Sequence, residues 1–362
     1  MNRTKNRYEY MDLLKAIAIF FVVVYHCNNL KFDLAVSMDK VSLLNYFALS
    51  IFSVCVPIFF FVNGALLFTK EFHLKVHLRK MFNIVILVIV WSIITLLLLM
   101  PIQKEYLTFT EFIKAVWKLK LDWNDHLWFL QAMVVIYLFF PLMKTSYIHH
   151  KNQIFFFLII TFLMTFGNTF LSDAVNVVGV IMGKDSLVGN RNFFQDFNAF
   201  RGIYGFSFVY FCLGGVFHDQ RDRFRGKKWV AIAAIAIGVA MVLLTIYGVL
   251  MSKHNGRDYD LVWNGYDTIP TLIMVLAIVI LSLEYKGSGK LSKLIQAIGR
   301  NSLGIYFVHR IWGLLLLKYF KDMPLSQTLL TNLVFAMVIT LLSLGTVLLF
   351  KSIPIVRRLF MI

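Results

Sequence analysis

Ten apolar stretches, each about as long as a membrane crossing, divide this 362-residue chain. They lie at about 10–29, 47–69, 82–101, 127–143, 154–172, 199–217, 229–250, 268–284, 301–319 and 327–350. A bilayer core about 30 Å thick needs about 20 consecutive apolar residues in a helix. The chain is 59% hydrophobic and only 15% charged, so it has little polar surface to offer water. The pattern predicts an all-α, polytopic integral membrane protein of about ten transmembrane helices, with residues 1–362 forming a single membrane-embedded domain.

Basic residues are concentrated in the connections on one side of the predicted bundle. Alternate connections, starting with the N-terminal segment, hold 21 of the 36 Lys and Arg residues but only five of the 19 Asp and Glu residues. Such an excess marks the cytoplasmic side, so both termini are predicted to be cytoplasmic. This excess also accounts for the net charge of +17. Basic segments next to membrane helices contact anionic lipids, so membrane lipids are expected partners and nucleic acid is not.

The N-terminal segment resembles a signal peptide, because Arg3, Lys5 and Arg7 precede the apolar run from Leu13 to Cys27. No small-x-small cleavage site directly follows this run. We therefore interpret the run as an uncleaved first helix.

The chain lacks the sequence motifs of several enzyme and metal-binding classes. Cys27, Cys55 and Cys212 each stand alone in an apolar stretch, so neither a disulfide framework nor a metal site is expected. No P-loop, GxGxxG, GxSxG or HExxH pattern occurs. An ATPase, a dinucleotide-dependent enzyme, a serine hydrolase and a zincin are therefore disfavoured.

The first apolar stretch contains ionisable residues. Lys15 and His26 are eleven residues apart, which places them on one helix face and separates them by about 16 Å along the axis. Asp12 lies one turn before Lys15 and can pair with it. Ionisable residues in membrane helices commonly mark a functional site. The alternative is that Lys15 snorkels to the surface and His26 lies in the membrane interface.

The second stretch, SVCVPIFFFVNGALLF, combines a helix-bending residue with a polar one. Pro57 frees a backbone carbonyl, and Asn63-Gly64 brings an amide and a close helix approach into the membrane. Where the third helix begins, a basic cluster is suited to phosphate groups. The same cluster could serve only to orient the chain. Its members are Lys75, Arg79 and Lys80.

Polar residues also begin the fourth and ninth stretches. HLWFLQ places His126 and Trp128 at the outer start of the fourth helix, where an interfacial Trp is expected in any case. The ninth stretch begins GRNSLGIYFVH, and its spacing puts three polar residues on one face. These are Ser302, Tyr306 and His309, with Arg310 next in the chain. His309 and Arg310 are expected to lie about 12 Å into the membrane, which favours a buried or functional role.

Three long outer connections, 102–126, 173–198 and 251–267, mix acidic and aromatic residues. This mixture suits hydroxyl-rich sugars, although ordinary solvated loops can have the same composition. Long loops often carry function.

Together these segments resemble the membrane-bound acyltransferase-3 family, bacterial enzymes that O-acylate surface polysaccharides and peptidoglycan. Lys15 and His26 occupy the positions of the family's first-helix basic residue and histidine. VPIFFFVNG is similar to the family's VPxFFxxSG, HLWFL matches directly, and GRNSLGIYFVH resembles GxxSYxxYxxH. The chain departs from the family at Lys15 for Arg, Asn63 for Ser and Leu303 for Tyr. The substitution at Lys15 loses the planar fork of Arg.

The resemblance implies a multi-pass O-acetyltransferase of the bacterial plasma membrane. Acyl-CoA, expected to be acetyl-CoA, would be the donor substrate, with no permanently bound cofactor and no metal. The acceptor would be a glycan or a lipid-linked glycan. His26, Lys15 and Asp12 are the expected catalytic group. The expected donor- and substrate-binding residues are Lys75, Arg79, Lys80, His126, Trp128, Ser302, Tyr306, His309 and Arg310.

Two other function classes remain open from the residues alone. A transporter or flippase of a glycan or small solute could use the intramembrane Asp, Lys, Arg and His as a proton relay, but no internal repeat is visible. A glycan polymerase or ligase would also be polytopic, but it gives no reason for a basic cytoplasmic donor site.

Overall fold

The computed structural model describes residues 8–36, 38–200 and 204–360, and within these ranges all regular secondary structure is helical. The basic residues Arg3, Lys5 and Arg7 lie outside the described residues. The α-helices are α1 Glu9–His26, α2 Lys40–Ser50, α3 Cys55–Phe68, α4 Leu74–Gln103, α5 Phe109–Lys118, α6 Trp128–His149, α7 Lys151–Phe162, α8 Asn168–Ile181, α9 Phe206–Gln220, α10 Lys227–Asn255, α11 Ile269–Ser282, α12 Gly289–Arg300, α13 Ser302–Lys321 and α14 Leu329–Lys351.

A helix or a pair of joined helices occupies each of the ten apolar stretches. The pair α2–α3 is joined by a 3-10 turn at Ile51–Val54, and α7–α8 by a π-turn at Leu163–Gly167. Seven helical segments in the described residues are long and apolar enough to cross a membrane. The all-α, polytopic membrane architecture is therefore confirmed, whereas the count of ten is not. The other three are α1, which carries three charged residues among 18, and α9 and α11, which have 15 and 14 residues.

The connections contain more helix than the sequence suggested. The end of the bundle where α1 begins is called the inner end here, and the end where α1 finishes is called the outer end. At the inner end α4 begins at Leu74, about two turns before the predicted apolar stretch. Most of the inner connection 285–300 forms the amphipathic helix α12. At the outer end the 102–126 connection contains α5, which begins with a capping box between Thr108 and Glu111. Neither α5 nor α12 spans the bundle.

Helix α1 lies at the centre of the bundle and packs against α3, α11, α12, α13 and α14. Its apolar residues Leu14, Ala18, Ile19 and Val23 are completely buried. Because α1 is surrounded by other helices, its polar side chains face protein cavities, and this is the setting in which intramembrane charge is tolerated.

Glycines set the closest helix contact, that between α3 and α9. A Cβ atom on Gly64 would lie 1.8 Å from the carbonyl oxygen of Phe211, and one on Gly214 would lie 1.9 Å from that of Phe61. The close approach expected at Gly64 is confirmed. Small residues let membrane helices pack by backbone contact, and here that contact holds α3 in place beside α1.

The outer surfaces of the peripheral helices are apolar. On α10, for example, exposed side chains include Ile235, Val239, Leu243 and Ile246. A hydrocarbon surface of this kind is stable next to lipid chains, where the backbone polar groups are satisfied within each helix. The polar groups are concentrated instead in the interior, where they line the cavities described next.

Candidate active site

Three histidines from three different helical segments meet below the outer end of the bundle. His26 is the last residue of α1, His126 lies in the 3-10 turn that precedes α6, and His309 lies in the middle of α13. The ring centroids of His26 and His309 are 5.5 Å apart, those of His126 and His309 are 5.2 Å apart, and those of His26 and His126 are 6.3 Å apart. A substrate group placed between the rings would contact more than one imidazole.

The imidazole nitrogens are incompletely satisfied. Within the described residues, both ring nitrogens of His126 and Nε2 of His309 are buried without a hydrogen-bond partner. An unpaired buried polar group costs about 1–3 kcal/mol, so such groups are uncommon in native structures, and a catalytic role is one reason for keeping them. Nδ1 of His309 lies 2.7 Å from the carbonyl oxygen of Tyr306. Since a carbonyl only accepts, this nitrogen carries the proton, and Nε2 of the neutral ring keeps its lone pair.

His26 is the histidine most accessible to a substrate. It is half-buried and lines a cavity of about 640 Å³ at the outer end, whereas His309 is fully buried behind it. Tyr25, the preceding residue, donates a hydrogen bond of 2.6 Å to Asp260, which also lines this cavity. We call this space the histidine cavity. It is lined by Val22, Tyr25, His26, Cys55, Val56, Lys118, Leu119, Leu121, Asp122, Asp125, His126, Trp128, Phe129, Gln131, Tyr204, Asp260, Trp263, Tyr266, Tyr306 and Arg310.

Arg310 places a buried positive charge in the wall of the histidine cavity, where Lys118 adds an exposed one. The side chain of Arg310 is 6% exposed, and Nη2 lies 3.7 Å from a carboxylate oxygen of Asp122 and 3.7 Å from one of Asp125. Nη1 donates to the carbonyl oxygen of His26 at 3.4 Å, so the guanidinium stabilises the C-terminal end of α1. Nε has no partner among the described residues. A fixed, desolvated cation of this kind can stabilise negative charge that develops in a transition state.

A second, smaller cavity of about 230 Å³ lies on the inner side of the histidines. Lys15 lines it and forms the expected ion pair with Asp12, with 3.0 Å between Nζ and Oδ1. Arg300, the last residue of α12, is exposed and lines the same cavity. We call this space the inner cavity. It is lined by Lys15, Phe59, Asn63, Ile84, Phe129, Leu130, Met133, Tyr137, Gly299, Arg300, Ser302, Leu303 and Tyr306.

Phe129 and Tyr306 separate the two cavities, since both side chains line both spaces. Their ring centroids are 5.9 Å apart. The Tyr306 hydroxyl donates to the backbone carbonyl oxygen of His126. The partition between the two cavities therefore includes two aromatic rings, one of which is hydrogen-bonded to the histidine cluster.

Most of the residues singled out in the sequence line one of these cavities. Lys15 and Ser302 line the inner cavity, His26, His126, Trp128 and Arg310 line the histidine cavity, and Tyr306 lines both. Asp12 and His309 contact lining residues. Trp128 is 8% exposed and packs against other aromatic rings, so it is not the interfacial side chain that its position suggested.

The basic cluster at the start of α4 is placed differently. Lys75 and Arg79 are exposed, Lys80 is half-buried, and none of the three lines either cavity. Their role in donor binding stays a prediction. Sequence reasoning missed Arg300, which it had assigned only to the basic face. It also gave no role to Phe129, although this residue lies in the matched HLWFL segment. It counted Asp125 only among the acids of the outer connections.

Comparison with known proteins identifies a family. The family model described as an acyltransferase domain, that of the acyltransferase-3 family, matches residues 8–350. The match extends from the start of α1 into the last turn of α14 and covers both cavities. No curated protein and no solved structure gives a significant match.

Proposed function

This chain belongs to the acyltransferase-3 family and is a membrane acyltransferase, and on that premise we propose that it is an O-acetyltransferase of a bacterial plasma membrane. In this proposal acetyl-CoA binds from the cytoplasm at the inner end. The acetyl group passes the Phe129–Tyr306 partition and is transferred to a hydroxyl group of a cell-surface or exported glycan at the outer end. The observation that carries the proposal is a basic inner cavity separated from a histidine cluster by this partition.

The inner cavity suits the donor. CoA carries phosphate groups, and Arg300 and Lys15 supply cationic groups at this cavity. Arg can bind a phosphate through two parallel hydrogen bonds. The rest of the wall is largely apolar, with Phe59, Leu130 and Met133 among its residues, and suits the acyl arm. We also propose that Lys75, Arg79 and Lys80, which lie at the inner end but outside the cavity, attract the same phosphates electrostatically.

The histidine cavity suits the transfer step. His26 removes the proton from the glycan hydroxyl, and the hydroxyl oxygen attacks the thioester carbonyl carbon. The carbon–sulfur bond breaks, the CoA thiolate takes up the proton, and an O-acetyl ester and free CoA are formed. Arg310 stabilises the oxyanion. In the second possible route His26 itself carries the acetyl group before the hydroxyl attacks. Acetyl label that stays on the protein in the absence of acceptor would distinguish this route.

Transfer of radiolabel tests the proposal. Purified protein in liposomes receives acetyl-CoA labelled in the acetyl group, together with a glycan acceptor enclosed on the opposite side. We expect label on the glycan and none in protein-free liposomes. Movement of the glycan across the membrane without label would contradict the transferase and support the transporter.

Donor affinity should depend on Arg300. Replacing Arg300 with Gln removes a charge-assisted interaction, worth about 1.5–3 kcal/mol, so we expect CoA affinity to fall by about tenfold to a hundredfold. Lys75→Gln with Arg79→Gln should weaken binding less, and its effect should be greatest at low salt because exposed charges are screened. Calorimetric titration with CoA measures both.

The matched control for the donor experiment is Lys290→Gln, which removes an exposed charge from the same helix α12 and touches neither cavity. It should leave the affinity unchanged. Equal CoA affinity in wild type and Arg300→Gln would remove Arg300 from the donor site.

A further inference from the structure

A second outer cavity adjoins the histidine cavity. Its volume is about 470 Å³, within the range of small-molecule sites. It lies among α8, the outer end of α10 and the described parts of two outer connections, residues 182–200 with 204–205 and residues 256–268. It is lined by Trp128, Thr169, Ser172, Asp173, Asn176, Val188, Gly189, Asn190, Tyr204, Phe206, Tyr247, Met251, His254, Asn255, Tyr259, Trp263, Asn264, Tyr266 and Asp267. The transfer chemistry described above uses none of the residues that belong to this cavity alone.

Four aromatic side chains form the boundary between the two outer cavities, because they line both. They are Trp128, Tyr204, Trp263 and Tyr266. The Trp128 ring centroid lies 4.8 Å from that of Tyr204 and 5.4 Å from that of Trp263, so the rings form one packed group. Trp263 is 46% exposed. A ligand that extends from one cavity into the other would pass over this aromatic group.

The wall of the second cavity offers hydrogen-bonding groups. Asn176 donates to the Tyr247 hydroxyl at 3.0 Å and accepts from the backbone of Gly189 at 2.8 Å, which fixes its amide. Asp267 accepts a hydrogen bond of 2.7 Å from Thr169. Burial raises the pKa of the Asp267 carboxyl, and Asp173 lies in the same wall. Oriented amides and carboxylates beside aromatic faces match the hydroxyl groups and the apolar ring faces of a sugar.

The charge of this outer region limits the class of sugar. Five acidic residues line the two outer cavities, Asp122, Asp125 and Asp260 in the histidine cavity and Asp173 and Asp267 in the second. Among the described residues, only two Lys or Arg residues, Lys118 and Arg310, lie in these walls, both in the histidine cavity. Sugars that carry carboxylate groups would meet this excess of acidic residues. An ionised acid would repel the sugar carboxylate, and a buried acid with a raised pKa, such as Asp267, would have to stay protonated, so such sugars are disfavoured in a partly desolvated site. Neutral sugars avoid this repulsion.

We propose that the second cavity is an acceptor subsite that holds the neighbouring unit of a neutral oligosaccharide while the acetylated unit occupies the histidine cavity. The inference rests on the proposed function for the assignment of the histidine cavity, and it adds that the acceptor extends over at least two sugar units. The aromatic boundary holds the linkage between the two units.

Equilibrium binding without a donor tests the subsite. The full chain in nanodiscs is titrated calorimetrically with glucose-, galactose- and N-acetylglucosamine-based ladders of one to four units. In at least one ladder we expect affinity to rise about tenfold from one unit to two, as one or two additional net hydrogen bonds would give. Oligogalacturonides of the same lengths should bind more weakly. No gain between one and two units in any of the three ladders would overturn the proposal.

Amino-acid substitutions test whether the second cavity is the source of the higher affinity for two sugar units. Asp267→Asn and Asn176→Ala alter the second cavity alone, and each should reduce the ratio of two-unit to one-unit affinity. Asp196→Asn and Phe197→Ala change exposed outer residues that line neither cavity, and they should keep the wild-type ratio. A ratio that survives in both cavity variants would also overturn the proposal.

The binding experiment is independent of acetyl transfer. A glycan ladder that gains affinity with length supports the subsite even if no label reaches the glycan, and that result would count against the transferase proposal alone. Transfer to glycans without any length-dependent affinity would count against the subsite alone.

Discussion

Replacing His26 with alanine is expected to lower the rate of acetyl transfer by about 10²–10⁴-fold, the usual contribution of a general acid–base group. His26 is the most accessible member of the three-histidine cluster, and it lines the cavity that the acceptor would use. His309 lies behind it, and Nδ1 of His309 is held by the Tyr306 carbonyl. The measurement is the initial rate of label transfer from acetyl-CoA to the glycan.

Two variants control the His26 experiment. His150→Ala removes an exposed histidine from the connection between α6 and α7 and should retain wild-type activity. His26→Gln preserves much of the side-chain volume and should be as inactive as the alanine variant, with unchanged protein abundance and thermal stability. An active His26→Ala protein would exclude His26 as the catalytic base and as the acyl carrier.

Filling the inner cavity should stop transfer without touching the histidines. Asn63 lies in the wall of the inner cavity, and its amide donates to the carbonyl of Phe59 at 2.8 Å. A phenyl ring at this position would occupy much of a space of about 230 Å³. Because misplacing a reacting group by about 1 Å can cost about 10²-fold, we expect Asn63→Phe to reduce the transfer rate at least about a hundredfold. Steady-state kinetics with acetyl-CoA measure the loss.

Other substitutions distinguish a blocked cavity from a misfolded protein. Leu303→Trp narrows the same cavity from α13 and should give a similar loss. Asn63→Ser introduces the residue that the family motif carries and should remain active. Leu98→Phe adds a ring to an exposed position of α4 and should have no effect. Wild-type transfer rates in both Asn63→Phe and Leu303→Trp would show that the donor does not use the inner cavity.

Local sequence signals were sufficient for the membrane architecture. A membrane-spanning helix needs a continuous apolar run, and each of the ten runs was found as helix, although three fall short by charge or length. The spacing of Lys15 and His26 along α1 likewise follows from helix geometry alone. The structure places these two side chains in different cavities, one toward each end of the bundle. The extra helices α5 and α12 were missed because neither has a run long enough to mark a membrane crossing.

Donor-binding residues were harder to identify from the chain. Lys75, Arg79 and Lys80 drew attention because they are clustered in the sequence, yet they lie outside the inner cavity. Arg300 had no such cluster around it and was counted only as part of the basic face. It lines the inner cavity because α12 packs against α1, where a Cβ atom on Gly299 would lie 2.1 Å from the carbonyl oxygen of Asp12. That contact joins segments that are far apart in the chain, so no local sequence pattern predicts it.

The sequence by itself determined that this protein lies in a membrane, where its helices run, and which family motifs it carries. These properties depend on hydropathy and periodicity, which act over a few turns of one helix. Only the tertiary structure decided that His26, His126 and His309 form one cluster with unpaired buried nitrogens. It also decided that Phe129 and Tyr306 separate the histidine cavity from the inner cavity. The physical reason is that side chains from distant segments meet only when helix packing, set by close contacts such as that at Gly64, brings their faces together.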